Sequence, residues 1–173
     1  MDDLASAAEV KRRPIPAYWI IGIFIFVNTM ICYFDRVNFS VVAPAIMKHF
    51  NWDMGVMGLA MSMFGVGYIL TQIPAGLLGD RFGGRKVLAS GSVGWSLFTL
   101  LTPFAGTPLL MYLVRGLLGL AEAGNFPSGV KAVAEWFPKR ERALATGIFN
   151  SGTSIGAVVA PILVPWILGS YGW

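Results

Sequence analysis

The chain has 173 residues, of which 55% are hydrophobic and 13% charged, with a mean hydropathy of +0.65. That excludes an ordinary soluble domain, because one core cannot hide several apolar runs of about 20 residues each, the length that spans a bilayer. The net charge of +4 and pI near 9.5 would suggest nucleic acid in a soluble protein, but the basic residues lie between the apolar runs, so the expected partner is the lipid bilayer and no nucleic acid.

In chain order, residues 1–16 read as a polar tail ending in Lys11-Arg12-Arg13-Pro14. The apolar run that follows is too long for a signal sequence and lacks a small-residue cleavage site, so it is read as a retained first span. Five spans are predicted, at about 17–42, 54–78, 87–105, 109–130 and 143–168, giving an all-α membrane protein. Counting Lys and Arg in alternate loops places Lys11, Arg12, Arg13, Arg81, Arg85, Lys86, Lys131, Lys139, Arg140 and Arg142 on one side and Lys48 alone on the other. Basic residues are retained inside, which predicts a multi-pass protein of the cell (inner) membrane with a cytoplasmic N-terminus. Cys32 is the only cysteine and His49 the only histidine. Cys32 is assigned to packing, and His49 has no second ligand at metal spacing. No nucleophile and base come together in the sequence, so neither an enzyme, a metal nor a cofactor is expected.

The most specific motif is Gly76-Leu77-Leu78-Gly79-Asp80-Arg81-Phe82-Gly83-Gly84-Arg85-Lys86, between the second and third spans. The chain must reverse there at once, and Gly83 and Gly84 permit positive φ. Asp80 and the basic side chains can engage helix ends or partner charges, which suits a lock on the cytoplasmic face; a plain basic topogenic turn is the competing reading. A phosphate loop is ruled out, since Arg85-Lys86 replaces Lys-Ser/Thr and no strand precedes.

The pattern G-x-x-x-D-R-x-G-x-R-K is similar to the signature loop of the major facilitator superfamily, and Arg115 with Gly119 matches its fourth-span signature. Tyr33-Phe34-Asp35-Arg36-Val37-Asn38, Ala121 to Pro127, Glu135-Trp136-Phe137-Pro138 and Glu141 to Gly147 narrow the likeness. Together they resemble the anion:cation symporter family, whose bacterial members carry sugar acids such as hexuronates, galactonate and glucarate. That resemblance implies twelve spans in two six-helix halves, so this chain is expected to be an incomplete N-terminal six-helix bundle, with 17–173 its partial half and the sixth helix and C-terminal half missing. It also implies a proton-coupled symporter of a small organic anion.

The residues support part of this on their own physics. Asp35 and Arg36 lie between apolar stretches, and charge at membrane depth must face a cavity or a partner. The alternative is a first helix that ends near Ser40, with Arg36 snorkelling to the interface. Thr29, Tyr33, Arg36 and Ser40 share one helical stripe, with Asn28 and Asp35 on the next. Arg115 and Glu122 stand two turns apart, roughly 10 Å, on one face. Burial favours a neutral carboxyl and a nearby arginine the carboxylate, so Glu122 is poised to exchange a proton; a static pair joining helices is the alternative. The resemblance assigns protons to Asp35 and Glu122, with Arg115 paired to Glu122, and the substrate carboxylate to Arg36, with hydroxyl contacts from Tyr33 and Tyr68. Tyr68 has a packing alternative. The gating loop is Gly76, Asp80, Arg81, Gly83, Arg85 and Lys86. Gly152 and Gly156 form a close-packing face, while Asn150 and Thr153 remain open between cavity lining and interhelical contact. A small structural protein that assembles through the Gly152 face is the rival reading; four charges at membrane depth weigh against it.

Overall fold

The computed structural model describes residues 17–171 as helices joined by short turns. Hydrocarbon offers no partner to backbone N–H and C=O groups, so segments this apolar satisfy them as helices. The helices are α1 (Ala17–Phe50), α2 (Met54–Phe82), α3 (Gly84–Leu101, extended by a 3₁₀ turn Thr102–Phe104), α4 (Pro108–Glu122), α5 (Asn125–Trp136) and α6 (Arg142–Tyr171). No strand occurs among the described residues. Four helical segments, Tyr18–Phe50, Met54–Phe82, Gly84–Phe104 and Arg142–Ser170, are long and apolar enough to cross a membrane. The predicted tail 1–16 lies outside the described residues.

Three boundaries differ from the sequence expectation, each for a physical reason. α1 has 34 residues and does not end near position 42. The chain stays apolar through Met47, and Lys48 and His49 occupy the last turn, where cations favour the negative end of the helix. Asn51 then adopts φ 55, and the Trp52 N–H donates to the Met47 carbonyl at 3.0 Å, a Schellman stop. The turn expected over Asp80–Lys86 shrinks to Gly83, whose φ of 88 and ψ of 143 reverse the chain in one residue. The fourth span is divided at Ala123-Gly124 into α4 and α5. Pro127 causes this: its ring clashes with the carbonyl four residues back, yet it fits the first turn of a new helix, where N–H groups are unpaired anyway.

Glycines decide which helices touch. A methyl group on Gly67 would overlap the Gly116 carbonyl oxygen, and one on Gly119 the Phe64 carbonyl oxygen, so α2 and α4 meet backbone to backbone. A methyl on Gly156 would overlap the Met30 carbonyl oxygen, and one on Gly152 would come 2.8 Å from that of Phe26. The small face of α6 therefore packs on α1. α3 lies against α4 and α5. Buried apolar side chains form three layers along the bundle, around Ile46 and Met111 at one end, Cys32, Phe64, Trp95 and Leu118 in the middle, and Ile25, Phe137 and Phe149 at the basic end. Phe24, Ile69, Ile73, Leu100 and Trp166 point outward, as lipid-facing side chains do. Several hydroxyls bond within their own helix, Thr71 to the Gly67 carbonyl and Thr153 to that of Asn150, which keeps them satisfied without water.

Gly67→Ala and Gly119→Ala are each expected to push α2 and α4 apart and cost roughly 1–3 kcal/mol as overpacking. Thermal unfolding of the detergent-solubilised protein measures this. Gly65→Ala, with nothing within 4 Å of the added methyl, should leave the midpoint in place.

Candidate functional site

The middle of the bundle carries most of the charge that the membrane would otherwise exclude. Asp35 and Arg36 sit half-way along α1, Tyr68 is at the midpoint of α2, and Glu122 ends α4 half-way between Pro108 and Trp136. The helix therefore continues past Ser40 and places Asp35 and Arg36 at membrane depth. Arg36 donates to Glu122 Oε1 from Nε at 3.1 Å and from Nη2 at 2.5 Å, with 28% of its side chain exposed against 1% for Glu122. The guanidinium lies 4.7 Å from the ring centres of Tyr33 and Tyr68 and 5.0 Å from that of Phe64. Three aromatic faces and one carboxylate thus replace its hydration. Tyr33 and Tyr68 meet Arg36 through their rings.

The pairing expected between Arg115 and Glu122 is not formed. Side chains on one helix pair at a spacing of three or four residues, and these two are seven apart. Arg115 is only 4% exposed. It stacks on Phe39 at 3.9 Å and lies 5.0 Å from Phe64, and its Nε has no hydrogen-bond partner among the described residues. Phe64 therefore contacts both guanidinium groups. Asp35 turns to α3, where Thr99 Oγ1 donates to its Oδ2 at 3.0 Å. Asp35, Asn38, Thr99, Thr102 and Arg115 line a cavity of about 200 Å³ in the half of the bundle away from the basic turns.

The sequence reading missed several members of this layer. Cys32, assigned to packing, donates its thiol to Glu122 Oε1 at 2.9 Å; its place one turn before Arg36 on the same face was the available signal. Asn28 donates to Asn125 Oδ1 at 2.8 Å and accepts from Ser92 Oγ at 3.1 Å, tying α1 to the α4–α5 break and to α3. Thr99 and Ser92 gave no signal, since nothing in α3 announces which helix it will face. Of the stripe on α1, Thr29 is buried, whereas Ser40 is exposed and bonds the Val37 carbonyl.

In the turn motif, Asp80 accepts from Lys131 Nζ of α5 at 2.6 Å. Arg81 lies 5.5 Å from the Phe82 ring centre, and Gly83 makes the reversal. Arg85, beside Lys86 in the first turn of α3, borders a cavity of about 540 Å³ whose walls include Ile21, Phe24, Asn28 and Trp136. Gly76 has open space around it. Glu141, in the turn before α6, accepts from Trp19 Nε1 at 3.1 Å and Tyr18 OH at 3.3 Å, which fastens the start of α1 at the same end.

Comparison with known proteins gives a match to the Major Facilitator Superfamily over residues 25–173. The chain is 37% identical over 177 residues to the probable galactarate/D-glucarate transporter GudP of Bacillus subtilis (strain 168), covering 99% of this chain and 39% of the relative. It is 34% identical over 176 residues to the probable galactarate/D-glucarate transporter GarP of Escherichia coli (strain K12), covering 98% and 40%, and 37% identical over 164 residues to the probable sulfoacetate transporter SauU of Cupriavidus necator, covering 95% and 38%. The chain thus spans about 40% of the length of these relatives. Its fold is similar to the crystal structure of a bacterial homolog of the human lysosomal transporter Spinster, with a TM-score of 0.85 at 24% identity, covering 91% of this chain and 34% of that one.

The Arg36–Glu122 pair yields a stability test. Arg36→Leu strands a buried carboxylate and Glu122→Leu a half-buried guanidinium, each expected to cost about 3 kcal/mol. Arg36→Leu combined with Glu122→Leu removes both charges and should unfold at a higher temperature than either single variant. Additive losses in the double variant would show that the two side chains are not energetically coupled.

Proposed function

The chain belongs to the Major Facilitator Superfamily, and on that premise we propose that it forms the first part of a secondary transporter that moves a small organic anion of the sugar-acid class together with protons. The carrying observation is that Arg36, framed by Tyr33, Tyr68 and Phe64, has its charge met by Glu122 alone among the carboxylates of the described residues. One guanidinium then serves two anions in turn. With Glu122 ionised, Arg36 is held by it. A proton on Glu122 removes that attraction, and Arg36 is released to accept a substrate carboxylate, while Tyr33 and Tyr68 offer ring faces and hydroxyls to the rest of the molecule. Asp35, held by Thr99 at the edge of the second cavity, is the other proton carrier. Arg115 sets the potential at both acids from α4 without an ion pair of its own.

The relatives named for galactarate and D-glucarate support a substrate of that chemistry. The part of the transporter beyond this chain supplies the facing wall, as alternating access requires. The basic turns support a cytoplasmic N-terminus for a transporter of the inner membrane. The turn from Gly76 to Lys86, tied to α5 by Asp80 and Lys131, belongs to the gate on that face.

The test uses the complete transporter in proteoliposomes, with radiolabelled D-glucarate and an imposed pH gradient. Asp35→Asn and Glu122→Gln should each lose gradient-driven accumulation by at least about tenfold; accumulation at the unsubstituted level in either would remove that acid from the coupling. Arg36→Ala is expected to weaken D-glucarate binding in calorimetry by about tenfold or more, since a charge-assisted hydrogen bond is worth roughly 1.5–3 kcal/mol. Unchanged affinity would take Arg36 out of the substrate site.

A further inference from the structure

α1 and α3 run in the same direction, and their side chains form two rungs in one register. Thr99 donates to Asp35 at 3.0 Å, and the Ser92 hydroxyl, whose one hydrogen is shared with the Leu88 carbonyl at 2.8 Å, stands 3.1 Å from Asn28 Oδ1. Each rung joins residues 64 apart in sequence, and the rungs are two turns from one another. Beyond each rung lies a void. The 540 Å³ cavity borders Asn28 and Ser92, and the 200 Å³ cavity borders Asp35 and Thr99. No glycine among the described residues brings α1 and α3 into backbone contact as in the α2–α4 and α1–α6 pairs, and the two helices meet here side chain to side chain.

We infer that Thr99 is a positioning residue for Asp35: its hydroxyl holds the carboxyl group at the edge of the smaller cavity, in the half of the bundle opposite the basic turns. The inference rests on the proposed role of Asp35 in proton coupling. Two side chains of α3 hydrogen-bond Asp35, the Thr99 hydroxyl and the Trp95 ring N–H, and of the two only Thr99 lines the smaller cavity. Arg115 of α4 is the one other charged group lining that cavity, while Arg36 of α1 is engaged by Glu122. α3 presents Thr99 and the buried Trp95 at this level, both uncharged. α6 carries no charged residue after Arg142, and the charged residues of α2, Asp80 and Arg81, lie at its far end. Asn38 and Thr102 supply further polar walls through which a proton can reach the carboxylate. A threonine is suited to this task because its hydroxyl can donate to a carboxylate and accept from a protonated carboxyl, while its methyl keeps χ1 stiff.

The experiment compares Thr99→Val, Thr99→Ser and Ser92→Ala in the complete transporter, reading D-glucarate accumulation against the pH of the outer compartment. Valine keeps the shape and loses the donor, so the charged carboxylate loses support and the midpoint should move up by about one pH unit. Serine restores the donor and should return the midpoint to its original place. Ser92→Ala breaks the neighbouring rung, which bonds no ionisable group, and should leave the midpoint unmoved. A Thr99→Val midpoint equal to the unsubstituted one, a serine variant shifted like valine, or an equal shift in Ser92→Ala would each overturn the assignment. Should Thr99→Val transport nothing, pH-difference infrared spectroscopy of the purified protein reads the Asp35 carboxyl band directly, and a band that titrates as before overturns it equally. Asp35→Asn separates the two levels: an unchanged pH profile there refutes proton coupling through Asp35, whereas a lost profile alongside an unmoved Thr99→Val refutes Thr99 alone.

Discussion

A charge placed in hydrocarbon must find its opposite or a comparable set of dipoles, and Arg36 and Glu122 meet that demand across the bundle. Their pairing does more than neutralise. The backbone contacts at Gly67, Gly119, Gly152 and Gly156 make α2–α4 and α1–α6 into two tightly joined pairs. Arg36 lies on one pair and Glu122 on the other. Cys32 repeats the link to Glu122, and Asn28 repeats it to Asn125. The two helix pairs are therefore joined in the middle of the bundle by these polar contacts together with the apolar layer of Cys32, Phe64, Trp95 and Leu118.

The break in the fourth span follows the same logic. Glu122 is the last residue of α4, and Asn125 the first of α5. Pro127 interrupts the backbone ladder at this level, where Asn28, Cys32 and Arg36 of α1 converge on the junction. A break is tolerable in a membrane only where protein surrounds it, and Ala123, Glu122 and Asn125 are all buried. The residue that α1 grips thus sits at the point where its helix is least continuous.

What the sequence disclosed follows from what periodicity can carry. The five expected spans became six helices among the described residues, four of them long and apolar enough to cross a membrane. The all-α class, the charged positions midway along their helices and the reversal at Gly83 were legible, because apolar run length, charge position and glycine each have one dominant physical meaning. Partners were not. Arg115 and Glu122 share a face of one helix, so spacing alone suggested a pair, yet the carboxylate lay closer to a guanidinium on another helix. Cys32 looked apolar because its neighbours are, and its thiol matters only once Glu122 is brought beside it. Thr99 is one of several hydroxyls in the chain; Ser62, Thr71 and Thr153 bond their own helices, and only the fold tells Thr99 apart from them. The turn motif was visible as a loop, but its extent was overread, since α2 runs on to Phe82 and Gly83 alone makes the reversal.

The seam between α1 and α3 differs in kind from the other contacts. Glycine-based packing is stiff, because backbone against backbone leaves no room to slide without overlap. The hydroxyl contacts between α1 and α3 involve no backbone overlap, and a hydroxyl can change partner by rotating one bond. Groups that must alternate between charged and neutral forms are best placed on a compliant surface, since each form asks for different dipoles around it. Asp35 stands on the compliant seam, whereas Glu122 stands between the stiff pairs. Asp35 is tied to side chains of α3, whereas Glu122 links the two helix pairs through Arg36. The two acids, similar in chemistry, are thereby given different mechanical reach by the packing around them.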